Sequence, residues 1–175
     1  MLVEQPSATW DDEGIALSAL SEHYMEVAVD HVAGWQVSVW LRAAEASALV
    51  GAIYEGELEL VGAAVMPEVV PPGGVVAVHL KWRTPSGSVG AQETVSVQVL
   101  DSAGELVAQS DRVLTPDGRE TLATYAILLP ETLDDGDFLV TIVVYDPNRL
   151  GAPRRLTLDG ADCVDIGKVH VESLR

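Results

Sequence analysis

The stretch FLVTIVVYD, Phe138 to Asp146, decides how this chain folds. Successive side chains of a β-strand point to opposite faces. Phe138, Val140, Ile142 and Val144 therefore line one face, and Leu139, Thr141, Val143 and Tyr145 the other. The first set is wholly apolar and the second mostly so. That predicts a strand covered on one side and at least partly on the other, at the centre of a sheet. Pro147-Asn148 closes it. Ahead of it, Asp134-Asp135-Gly136-Asp137 predicts a turn, a place where Gly can take positive φ and Asp can bond its own backbone.

Outward from this strand, short apolar runs alternate with turn signals. Residues 155–158 and 163–172 read as strands after it, and 121–129, ending at Pro130, as the strand before it. Further upstream, residues 93–101 alternate Val95, Val97 and Val99 with Ser96 and Gln98. Asp101-Ser102-Ala103-Gly104 then makes a hairpin turn, and 105–110 returns antiparallel. Residues 75–83 put Val76, Val78, Leu80 and Trp82 on one face. Residues 57–66 precede them, with Pro67, Pro71-Pro72 and Gly73-Gly74 punctuating the turn between. A polar Gly/Ser loop spans 84–92. The expected core joins Val140, Ile142 and Val144 to Val76, Val78, Trp82, Val95 and Val97. Short strands with no long helical pattern predict an all-β antiparallel sandwich.

The N-terminal part is less regular. Residues 1–14 read as polar and turn-like. Residues 15–29 read as two short strands, around Ile15-Leu17-Ala19 and Met25-Val27-Val29, with a helix through Ile15, Ala19, Leu20 and Tyr24 as the alternative. Residues 34–41 are a firmer strand: Trp35, Val37, Val39 and Leu41 face one way, and Gln36, Ser38, Trp40 and Arg42 the other. Residues 43–52 read as a loop or short helix. Glu13-Gly14 to Arg42 echoes Glu55-Gly56 to Arg83, each opening on Glu-Gly and ending on an apolar strand with Trp and Arg. Chance likeness between two sandwich strands explains the echo slightly better than a truncated tandem copy does.

Composition excludes some partners. Asp and Glu outnumber Lys and Arg 27 to 10, a formal charge of -17, and only Lys81 and Lys168 are lysines. No basic cluster is available for a nucleic-acid backbone or an anionic membrane surface. Cys163 is alone and has no cation beside it in the chain, so it reads as a small apolar filler near a strand start. No apolar run reaches the roughly 18 residues of a membrane span, and the first residues lack a basic region followed by an apolar core. A cytosolic protein or an excised soluble piece of a larger one fits these features.

Chemistry is sparse. His23, His31, His79 and His170 lack a local zinc spacing, and the latter two occupy polar-facing strand positions. There is no Gly-x-Ser-x-Gly elbow and no phosphate-binding glycine loop. Asp134, Asp135 and Asp137, and then Asp159, Asp162 and Asp165, invite a calcium reading. Neither group has the regular spacing of a calcium loop, and turn formation accounts for both. No metal or other cofactor is expected. One candidate binding group stands out: Trp40, beside Gln36 and Arg42 on a polar strand face, could stack on a sugar ring while its neighbours bond hydroxyls.

The segments VSVQVLDSAGELVAQSD and LLPETLDDGDFLVTIVVYDPN carry a resemblance. The chain resembles the immunoglobulin-like β-sandwich domain at the C-terminus of bacterial membrane glycosyltransferase (mannosyltransferase-like) proteins. The matching features are Leu80-Lys81-Trp82-Arg83, the Asp101 to Gly104 hairpin, Leu106 to Gln109, and Gly136 to Pro147. The likeness covers roughly residues 53 to 172. Phe138 stands where that family has Tyr, so a corner hydrogen bond from a phenol is lost. The resemblance implies an immunoglobulin-like sandwich over 53–175, with residues 1–52 as an N-terminal extension of additional strands. It implies a non-catalytic accessory domain, structural or protein-interacting, with no site to carry over. Its expected place is extracytoplasmic, in the cell envelope, with the cytoplasm as the alternative. A carbohydrate-binding module is the second reading and a small hydrolase the third. The partners left open are a protein and a carbohydrate, without nucleic acid and without membrane insertion by this segment.

Overall fold

The computed structural model describes residues 2–4, 24–32, 35–42, 48–55, 58–84, 93–114, 120–149 and 151–173. In the first three segments only the Tyr24 and Trp40 side chains are described. The chain divides into two compact units, Met1–Ala44 and Glu45–Arg175. Among the described residues there is no helix, and none is long and apolar enough to cross a membrane.

The first unit is a three-stranded antiparallel sheet of β1 (Leu2–Glu4), β2 (Tyr24–Val32) and β3 (Trp35–Arg42), in the order β1-β3-β2. The strand expected over 34–41 is β3, and the one expected around Met25–Val29 lies within β2. The one expected around Ile15-Leu17-Ala19 lies outside the described residues. Residues 1–14 are not all turn-like, because Leu2, Val3 and Glu4 pair with Ser38, Val37 and Gln36. Three residues carry too little periodicity for a sequence pattern to reveal an edge strand.

The second unit contains β4 (Ala48–Ile53), β5 (Glu59–Met66), β6 (Val69–Val70), β7 (Val75–Arg83), β8 (Glu93–Leu100), β9 (Leu106–Leu114), β10 (Glu120–Leu128), β11 (Gly136–Tyr145) and β12 (Val164–Val171). One sheet has the order β10-β7-β5-β4 and the other β6-β12-β11-β8-β9. After β5 the chain switches sheets at the cis Met66-Pro67 bond, and β6 pairs parallel to β12. It returns for β7, crosses to β8 and β9, comes back for β10, and crosses again to β11 and β12. Repeated crossing between two facing sheets is the immunoglobulin-like sandwich connectivity.

β11 is central, flanked by β8 and β12. Its inward residues Phe138, Val140, Ile142 and Val144 are buried, and so are Thr141 and Val143 on the other face. Val140, Ile142, Val144, Val76, Val78, Trp82, Val95 and Val97, the expected core, are all 0% exposed. Each such aliphatic side chain contributes about 1.5–3 kcal/mol through burial. Tyr125 and Ile127 of β10, with Val169 and Val171 of β12, complete the layer.

Three expectations change. Residues 43–52 are not a loop or helix throughout: β4 pairs with β5, so a boundary after residue 52 falls inside a strand of the sandwich unit. Gly51, at φ +68°, sits in a register shift between Leu49 and Ala52, and the bulge breaks the two-residue alternation. Residues 155–158 form no strand; Arg154 and Thr157 make isolated bridges to Tyr145 and Tyr54. Gly136 needs no positive φ, being the first residue of β11 opposite Val171. The turn falls earlier, at Glu131-Thr132 after Pro130.

Candidate functional site: a cleft at the open edge of the sandwich

Where β4 ends its sheet, the sandwich opens into a cleft of about 620 Å³. One wall is β4. The other is formed by Thr157, Leu158, Asp159 and Ala161 and by the start of β12 with Cys163 before it. Both strands that border it have incomplete partners. β4 bonds to β5 on one side only, and β12 meets β6 only at His170 and Val171. Val50, Ala52, Val164 and Ile166 lie against the core and form an apolar floor. Leu49 at 90% exposure and Leu158 at 72% stand out at the rim. Among the described residues, no Lys, Arg or His lines the cleft, whereas Asp159 and Asp165 do.

The wall opposite β4 is held by a clamp. Arg155 Nε donates to Glu93 Oε2 at 2.7 Å, Nη2 to the other oxygen of that carboxylate, and Nη1 to the Glu55 carbonyl at 2.8 Å. The Glu93 side chain is only 8% exposed, so this two-point ion pair is largely shielded from water. Backbone bonds finish the attachment. Leu158 N–H donates to the Ile53 carbonyl at 2.8 Å, and Glu55 N–H to that of Leu156 at 3.0 Å. The Thr157 hydroxyl donates to Asp159, which holds the Asp159 carboxyl below the usual carboxylate range and keeps it anionic at neutral pH.

Beneath the cleft lies Tyr54, whose fully buried hydroxyl has no hydrogen-bond partner among the described residues. Burial, and then the neighbouring Cys163 thiol, push its pKa up, so the phenol stays neutral. Its ring stands 6.0 Å from that of Trp82, tilted. Cys163 is half-buried immediately before β12, where a small apolar filler was expected.

No protein-family model matches the chain, and no curated protein matches it. Among solved structures, the C-terminal domain of Wzt is similar over 71% of this chain and 80% of its own, at 10% identity and a TM-score of 0.49. The CARDB domain of a Pyrococcus furiosus protein, solved in complex with di-metal ions, is similar over 75% of this chain and 100% of its own. There the identity is 17% and the TM-score 0.41. Likeness at this level reaches neither a site nor a ligand.

The residues singled out from sequence fall elsewhere. Trp40 lies in β3 opposite Glu26, with Gln36 and Arg42 at alternate register positions of the same strand, opposite His31 and Tyr24. Trp40 is half-buried, and its indole nitrogen is buried without a hydrogen-bond partner among the described residues. The Gln36 and Arg42 side chains lie outside the described set. His23 also lies outside it. His79 is not polar-facing in effect, being 3% exposed with Nδ1 3.0 Å from Thr124 Oγ1. Burial pushes its pKa down. His170 Nδ1 is 2.7 Å from Asp137 Oδ1.

The two aspartate groups act as ties. Asp135 Oδ1 accepts from Ser173 N–H at 2.9 Å and from its hydroxyl at 2.7 Å, fastening the end of β12 beside the start of β11. Those bonds lower the Asp135 pKa. Asp162 pairs with Arg154 at 2.8 Å. Among the described residues, no three metal-ligating side chains gather. Sequence reading missed the cleft because its walls are far apart in the chain. One signal was present: an isolated Gly inside the apolar run Ala48–Ile53 marks a bulged strand.

Proposed function

We propose that this chain is a non-catalytic accessory β-sandwich, a structural or protein-interaction module attached to a cell-envelope glycosyltransferase-like protein and lying outside the cytoplasm. The interaction reading is carried by the cleft, an apolar floor between two incompletely paired strands with exposed leucines at its rim. The non-catalytic reading is supported by where the polar groups sit. His79 with Thr124, Arg155 with Glu93, and Asp135 with Ser173 each tie one segment to another, and they are spread over both sheets rather than gathered into one constellation. Attachment and location rest on the resemblance, whose residues fall on β7, the β8–β9 turn and β11.

The docking role is tested with Nile red, a neutral dye that brightens in apolar sites. Fluorescence should rise with the native chain and fall with Leu49→Asp, while Leu128→Asp, at another exposed leucine, on β10, leaves it unchanged. Equal loss with both variants, or no rise at all, refutes a docking cleft. Location is tested by protease treatment of intact cells, where cleavage of the module without lysis is the expected result.

A second reading, carbohydrate binding at Trp40, is favoured by the partial exposure of that residue. Tryptophan fluorescence during oligosaccharide titration should then saturate in the wild type and not in Trp40→Ala. No saturable change in the wild type removes it.

A further inference from the structure

We infer that the cleft between β4 and β12 takes an extended segment of a partner protein, apolar along one face and flanked by Lys or Arg. This rests on the docking reading above and names the occupant. Leu49 and Leu158 line the cleft and yet are 90% and 72% exposed, an apolar area broader than its floor. Covering them requires a macromolecular surface.

Charge selects the partner. Asp159 and Asp165 border the cleft, have no ion-pair partner among the described residues, and face no lining cation. The chain as a whole carries -17, which disfavours a second copy as occupant and favours a cationic segment. Shape selects an extended segment, because the walls are two strands whose outer sides lack partners over 48–52 and 164–168 among the described residues.

Both bordering strands are irregular. β4 has its shift at Leu49/Ala52, and β12 meets β11 through a shift at Val140/Thr141. Bulges blunt an edge against continuous strand addition. Recognition therefore falls mainly on side chains, with apolar residues against Val50, Ala52, Val164 and Ile166 and cations at the two aspartates. Binding of this kind is selective for the segment's sequence and sensitive to salt.

The experiment uses two fluorescein-labelled peptides with the same alternating Val-Thr centre, one with Lys at both ends and one with Glu. Anisotropy is read on the full 175-residue chain. The Lys-ended peptide should saturate and the Glu-ended one should not. Leu49→Asp should weaken the former at least about tenfold. Asp159→Asn combined with Asp165→Asn should erase the difference between the two peptides. Equal binding of both peptides to the wild type overturns the inference. So does absence of binding while Nile red still reports the cleft, a result that leaves the docking reading intact. Concentration-dependent dimers that Leu49→Asp dissociates would make a second copy the occupant and likewise overturn it.

Discussion

Arg154 and Arg155 are adjacent, both make ion pairs, and their replacement by Ala should have very different costs. Arg155 holds a Glu93 carboxylate that is 8% exposed, whereas Arg154 pairs with Asp162 where the two side chains are 48% and 54% exposed. Arg155→Ala leaves a shielded carboxylate without its cation and costs about 3–5 kcal/mol. Arg154→Ala removes a solvated pair and costs about 0–1 kcal/mol. Against a total stability of about 5–15 kcal/mol, the first loss is severe. It also frees the Glu55 carbonyl bond and loosens the wall facing β4. Urea unfolding is the assay. With a slope of about 1–3 kcal/mol/M, the Arg155→Ala midpoint should drop by at least about 1 M, while that of Arg154→Ala stays close to wild type. Replacing both partners, Arg155→Met with Glu93→Leu, should recover most of the loss, because no charge is then stranded. Equal midpoints for the two single variants would refute the reasoning.

Three further outcomes follow from the same structure. Ile142→Ala should cost about 2–5 kcal/mol in denaturant unfolding, since it empties a fully buried site on the central strand, and a loss under about 1 kcal/mol would make that strand peripheral. Excess chelator should leave the melting temperature unchanged, because Asp135 and Asp162 are already engaged with Ser173 and Arg154; a fall restored by calcium would contradict that. Acidification should destabilise the chain in two stages. The folded-state pKa of His79 is depressed, so its contribution is present above about 6.5, the ordinary His value, and is lost as pH falls through the lower folded value. Asp135 has a depressed pKa too, so its contribution is present above the ordinary carboxylate range and lost below it. His79→Gln should remove the first stage and Asp135→Asn the second, as read from melting temperature against pH.

Much of the sandwich was legible because its central strands carry their evidence locally. In β7, β8 and β11 the inward positions are almost all Val, Leu, Ile, Phe or Trp, and turns at Asp101–Gly104 and Pro71–Gly74 punctuate them. Asp101 Oδ1 accepts from the Ala103 and Glu105 amides, which is the local bonding that makes such a turn readable. β4 was obscured by Gly51. Residues 155–158 looked like a strand because of Leu156 and Leu158, but Arg155 is bound to Glu93 and the segment is fastened by a few bridges, not a ladder. His79 shows a different limit: alternation gives the face a residue occupies, not whether that face is covered. The cleft was illegible because no local pattern says that β4 will end one sheet beside the start of β12.

Backbone amide hydrogen exchange, compared with and without the Lys-ended peptide, tests most directly whether a cationic extended segment occupies the cleft. The account predicts slowed exchange in β4 over 48–52 and at the start of β12, with β9 and β10 unchanged. Slowed exchange confined to β9 and β10, or no slowing anywhere at saturating peptide, would contradict it.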